Sequence, residues 1–104
     1  MAASSDSRKQ RVDDRSRRVV VTYRGHVQGV GFRATALHCA RGLAVDGFVQ
    51  NLPNGDVRMD VQGPRGDVDE LMRRIAVEMS GRIDDTLIDP RDAMTTRDGF
   101  RIRY

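Results

Sequence analysis

Two helical stretches separated by a strand–turn–strand unit, a β-branched run ahead of the first helix, and extended segments after the second predict an α+β fold. The order is β-α-β-β-α-β with a possible fifth strand. Two helices split by a hairpin give a split βαβ, ferredoxin-like sandwich: an antiparallel sheet of four to five strands with both helices on one face. The 104 residues suffice for one such domain, since a chain of this length hides roughly two-thirds of its unfolded surface.

Residues 1–17 are rich in Ser, Asp and Arg and nearly lack large apolar side chains, so a disordered basic tail is expected ahead of a domain spanning 18–104. Order begins with Arg18–Arg24, where Val19, Val21 and Tyr23 point one way and Val20 and Thr22 the other, as in a central strand covered on both faces. After a glycine-rich turn, Phe32–Arg41 sets Phe32, Ala36, Leu37 and Ala40 on one helical stripe, with Gly42 as a stop. Val45–Asn51 is a second strand, and Asn54-Gly55 after it signals a hairpin. Asp56–Gln62 then alternates, with Val57, Met59 and Val61 inward.

Gly63-Pro64-Arg65-Gly66 breaks the chain, and Asp67 followed by Glu70 predicts an N-cap with a capping box. Val68, Leu71, Met72, Ile75 and Met79 recur at helical spacing up to Gly81. Ile83–Asp89 is a weaker strand interrupted by acidic residues, and Phe100–Tyr104 a short terminal one.

The net charge of +3 first suggests a nucleic-acid partner, but its distribution argues otherwise. Residues 1–18 hold six Lys/Arg against three Asp/Glu, whereas 19–104 hold twelve of each. The folded part is neutral, and no nucleic-acid partner is expected. The single cysteine, Cys39, excludes an intramolecular disulfide and a Cys-rich zinc site. No signal-like or membrane-spanning run is visible, so a cytoplasmic protein without a membrane partner, most simply a monomer, is expected.

The chemistry concentrates in Gly25–Arg33, GHVQGVGFR, between the first strand and the first helix. Glycines let consecutive N–H groups converge into a concave nest, and a helix start adds its own free amides and dipole. Arg33 can bind two oxygens of one phosphate through its planar fork. The pattern is not a Walker loop, since no Gly-Lys-Ser/Thr follows and the only lysine is Lys9, nor is its spacing that of a dinucleotide-binding fingerprint. On spacing alone, a plain tight turn is an equal reading. Likewise Asn51, before the hairpin, reads on its own as a turn-capping residue. Cys39 reads as packing, Arg73 and Arg74 as solvated helix charges, and the acidic cluster Asp84, Asp85 and Asp89 as surface.

Gly25, Val27, Gln28, Gly29, Val30, Gly31, Phe32 and Arg33 together resemble the first signature of the acylphosphatase family. Val49, Asn51 and Gly55 resemble its second, and Gly99-Phe100-Arg101-Ile102 its closing segment. The resemblance spans about residues 18–104; Phe48 stands where many members carry Trp, and 83–99 fits loosely. It implies hydrolysis of the carboxyl–phosphate anhydride of small acyl phosphates, without metal or cofactor. It implies Arg33 as the phosphate-binding catalytic arginine and Asn51 as the residue orienting the attacking water. The backbone amides of His26, Val27, Gln28, Gly29, Val30, Gly31 and Phe32 would form the phosphate cradle. The alternative is a non-catalytic phosphate- or nucleic-acid-binding module of the same topology.

Overall fold

The computed structural model describes residues 16–95 and 98–104. Its elements are β1 (Ser16–Gly25), α1 (Phe32–Cys39), β2 (Asp46–Asn51), β3 (Val57–Pro64), α2 (Arg65–Glu78), β4 (Ile83–Arg91) and β5 (Phe100–Arg103). They form a five-stranded sheet in the order β4-β1-β3-β2-β5. The two helices cover one face, α1 over β2 and β5, α2 over β3 and β1. This is the expected ferredoxin-like α+β sandwich. β1 starts earlier than expected because Ser16 and Arg17 find ladder partners in Pro64 and Gly63. The rest of the expected tail, 1–15, lies outside the described residues.

The core follows the alternation of the strands. Val19, Val21 and Tyr23 of β1 lie opposite Val61, Met59 and Val57 of β3, and all six are buried against the helices. Phe32 and Ala36 of α1 and Val68, Leu71 and Ile75 of α2 fill the other side. Each large aliphatic side chain removed from water this way contributes about 1.5–3 kcal/mol. Val20, on the outer face, is also buried, as suits a strand flanked on both sides. β4 lies beyond the helices, and its Leu87 and Ile88 remain exposed.

β5 qualifies the expectation of an antiparallel sheet. The β1–β3, β1–β4 and β2–β3 pairs are antiparallel, whereas β5 lies parallel to β2. β4 and β5 occupy opposite edges, so the chain between them crosses the sheet's end. Gln62 fastens that crossing by donating to the Met94 carbonyl at 2.6 Å and accepting from the Met94 amide at 2.7 Å. Asp46 accepts from the Gly99 amide at 2.9 Å. A strand delivered by this route runs against β4 and therefore with β2.

The capping box does not form. α2 starts at Arg65 behind Pro64, whose φ of −54° pre-sets the helical entry, and no side chain caps it. Asp67 instead accepts from the Ala44 amide at 2.8 Å. Glu70 is engaged by Arg73 and Arg74. Arg74 is more than a solvated charge: it donates to the carbonyls of Cys39 at 2.8 Å and Arg41 at 3.1 Å, joining α2 to the end of α1.

Candidate active site

The segment between β1 and α1 carries Gly29 at φ +78° and Gly31 at φ +75°, with Val30 between them at negative φ. Alternation of positive and negative φ turns successive amides toward one side, as in an anion nest. A Cβ at either glycine would meet nothing within 4 Å, so glycine is required there by backbone conformation and not by space. Gly31 is also the N-cap of α1, and its carbonyl accepts the first helical bond from Thr35 at 2.9 Å. No side chain caps this helix start and no acidic residue lies in its first turn, so its leading amides keep their partial positive charge.

Two contacts hold the turn. Phe32 packs against Tyr23 of β1 with ring centroids 4.9 Å apart, which pins the start of α1 to the sheet. Gln28 reaches across to the β2–β3 hairpin and donates to the carbonyls of Leu52 at 2.8 Å and Asp56 at 2.7 Å. The hairpin is closed by Leu52 and Asp56 and by an Asn54 side chain that accepts from the Asp56 amide at 3.0 Å. Gln28 thus sets the distance between the glycine turn and the end of β2, where Asn51 sits.

These elements enclose an open cleft of about 210 Å³. Gly29, Gly31 and Arg33 line it from the turn side and Asn51 from the end of β2. Val27 and Phe32 form its base, both buried. Arg33 and Asn51, eighteen positions apart in sequence, are brought to one ligand-sized space. His26 is the exception among the expected cradle residues: its amide donates to the Arg82 carbonyl at 2.9 Å, so that N–H is occupied and the available amides begin at Val27. Gln28 and Val30 do not line the cleft; the first supports it through the hairpin, and the second packs against the core.

Ala34, Ile102 and Tyr104 also line the cleft and are not among the site residues expected from the sequence. The Arg33 guanidinium lies over the Tyr104 ring, 4.8 Å from its centroid. The only sequence signal for the pair is that 102 and 104 alternate onto one face, and it has meaning only once β5 is known to lie beside β2.

Other candidate groups lie elsewhere or are engaged. Burial, with a smaller contribution from Glu78, pushes the Cys39 thiol above its ordinary value, which suits a packing residue and not a nucleophile. Burial likewise pushes the Tyr23 phenol far up, Cys39 adding to the effect. A second depression of about 200 Å³ lies on the outer sheet face around Arg18, Phe48 and Asp60. Its floor is already paired, since Arg18 meets both oxygens of Asp60 at 3.0 and 2.8 Å. Among the described residues, no three His, Cys, Asp or Glu side chains gather into a cation-binding cluster, and no helix is long and apolar enough to cross a membrane.

A family model described as acylphosphatase matches residues 19–102. The acylphosphatase of Anaeromyxobacter dehalogenans is 40% identical over 88 residues, covering 84% of this chain and 92% of that one. That of Salinibacter ruber is 35% identical over 88 residues, covering 84% and 93%. Among solved structures, an acylphosphatase from Coxiella burnetii superposes with a TM-score of 0.74 at 27% identity, covering 86% of this chain and 95% of that one. The Bacillus subtilis acylphosphatase shares the fold with a TM-score of 0.77 at 22% identity, covering 85% and 99%.

Proposed function

This chain belongs to the acylphosphatase family and is a hydrolase of acyl phosphates, and from that premise we propose that the cleft between the glycine turn and Asn51 is where the hydrolysis occurs. The phosphoryl group sits in the turn, its oxygens facing the amides of Val27, Gly29, Gly31 and Phe32 and the fork of Arg33. The Asn51 amide oxygen accepts a hydrogen bond from a water and aims it at phosphorus. The water oxygen forms the new P–O bond while the bond to the acyl oxygen breaks, and the carboxylate departs with the electron pair. The water's proton passes to a phosphate oxygen, because an amide is too weak a base to take it.

An acyl phosphate is already activated, so no covalent nucleophile is needed. What the protein supplies is placement and neutralisation of charge as it moves in the transition state. The observation supporting this reading is that Arg33, the left-handed glycines and Asn51 line the same cleft. The same reading makes the enzyme cytoplasmic, monomeric and without a nucleic-acid partner. Its neutral charge beyond residue 18 supports the last point, and gel filtration of the purified chain tests the second.

The experiment is phosphate release from benzoyl phosphate by the wild type, Arg33→Gln and Asn51→Ala. Arg33→Gln is expected to lose both turnover and inhibition by inorganic phosphate. Asn51→Ala should keep phosphate inhibition within about threefold while kcat falls by about 100-fold or more, the scale of losing one positioned polar group. Full activity in Arg33→Gln would remove the cleft from consideration.

A further inference from the structure

The cleft has a polar wall and an apolar one. The glycine turn, Arg33 and Asn51 are matched to a phosphoryl group and a water, yet an acyl phosphate also carries an organic group that must lie somewhere. Ile102 of β5 and Tyr104, just past the end of that strand, continue the cleft outward. Ile102 is half-buried beside Val49 of β2. Tyr104 is 90% exposed, so its ring gains nothing from burial until a ligand covers it. It nevertheless stands at the cleft, with the Arg33 guanidinium 4.8 Å from the ring centroid. A guanidinium stacks through its face and binds oxygens through its edge, so the same Arg33 can rest on Tyr104 and hold a phosphate.

We propose that Tyr104, backed by Ile102, is a specificity-determining shelf for the acyl group, selecting acyl phosphates whose acyl part is planar or apolar over acetyl phosphate. The proposal rests on the placement of the phosphoryl group beside Arg33. Stacking on an aromatic ring rewards a flat, apolar substituent and is nearly indifferent to a methyl group. The phenol hydroxyl has no part in it, so a phenylalanine should serve as well.

The test measures kcat/KM for benzoyl phosphate and acetyl phosphate, and inhibition by inorganic phosphate, in the wild type, Tyr104→Phe, Tyr104→Ala and Arg33→Gln. Tyr104→Ala is expected to lower kcat/KM for benzoyl phosphate by about 5–10-fold more than that for acetyl phosphate, the scale of one aromatic contact. Tyr104→Phe should keep the wild-type ratio of the two substrates. An unchanged ratio in Tyr104→Ala overturns the shelf, whether both substrates fall together or neither falls. If instead Arg33→Gln leaves both substrates at wild-type rates, the placement of the phosphoryl group is what fails. Thermal melting of each variant confirms folding, which an exposed side chain at the cleft's lip should not affect.

Discussion

At Gly25–Phe32 and again at Gly63–Arg65 the chain passes from a strand into a helix, and the two passages differ where it matters for anions. The first is long and glycine-rich, with no acidic residue in the first turn of its helix. The second is short and closed. Gly63 passes so near the segment leading into β2 that a Cβ there would clash with the Ala44 carbonyl. Pro64 removes one amide, and Asp67 in the first helical turn brings its own carboxylate to the Ala44 amide. Both helices have the same dipole at their N-terminus. One is neutralised from within and locks two elements together, while the other is left unsatisfied and faces a cleft. The proposed anion site is made as much by what the turn omits as by the arginine it adds.

The largest expected effect comes from removing that arginine. Arg33→Gln should lower kcat/KM by about 1000-fold, since a charged, preorganised group facing the transferring phosphoryl is lost, and stopped-assay phosphate release measures it. Next is a transplant of the closed turn's chemistry. Ala34 is the third residue of α1, as Asp67 is the third of α2, and Ala34 lines the cleft. Ala34→Asp should weaken inhibition by inorganic phosphate by about 100-fold, because two like charges about 4–6 Å apart repel by a few kcal/mol at an effective dielectric near 20. Wild-type inhibition in that variant would break the comparison.

Gly31→Ala tests the backbone. At φ +75° an alanine costs about 1–2 kcal/mol, so the variant should melt lower and lose activity as the nest shifts. The reciprocal change, Asp67→Ala, should lower stability by about 1 kcal/mol through the lost bond to Ala44 and leave kcat/KM within about twofold. Denaturant unfolding paired with the activity assay separates the two kinds of turn.

The smallest effect is a pH dependence on the closed side. Arg73 first, and then Arg74, hold the Glu70 carboxyl down at about 2, against an ordinary 4.5. A lowered carboxyl pKa stabilises the fold above the unfolded value, and that contribution is lost as pH falls through the folded one. The melting difference between the wild type and Glu70→Gln, small at pH 6, should therefore shrink between pH 4.5 and about 2. A difference that grew over that interval would contradict the assignment. Glu70 is joined to Arg74, whose bonds to the carbonyls of Cys39 and Arg41 carry the effect to the end of α1.

Most of the fold was legible where the pattern is local. The alternation of Val19, Val21 and Tyr23, the helical spacing of Val68, Leu71 and Ile75, and the Asn54-Gly55 turn each report which side of an element faces the core. The glycine turn and Arg33 were legible for the same reason, being adjacent in the chain. Asp67 was misread as a cap because its partner, the Ala44 amide, lies twenty-three residues away on the approach to β2. Arg74 was misread as solvated because the carbonyls it meets lie at and just past the end of another helix. His26 was misread as a cradle amide because the Arg82 carbonyl that accepts its hydrogen bond arrives only on the approach to β4.

By itself, then, the sequence determined the alternating faces, the helix stripes, and the joining of left-handed glycines to a guanidinium, because these depend on bond geometry over a few neighbouring residues. Only the tertiary structure decided that β5 would lie parallel to β2, that Asn51 would line the same cleft as Arg33, and that Tyr104 would rest against the same arginine. Those placements follow from strand pairing and core burial among segments far apart in the chain, and no local periodicity encodes which distant edge a strand will join.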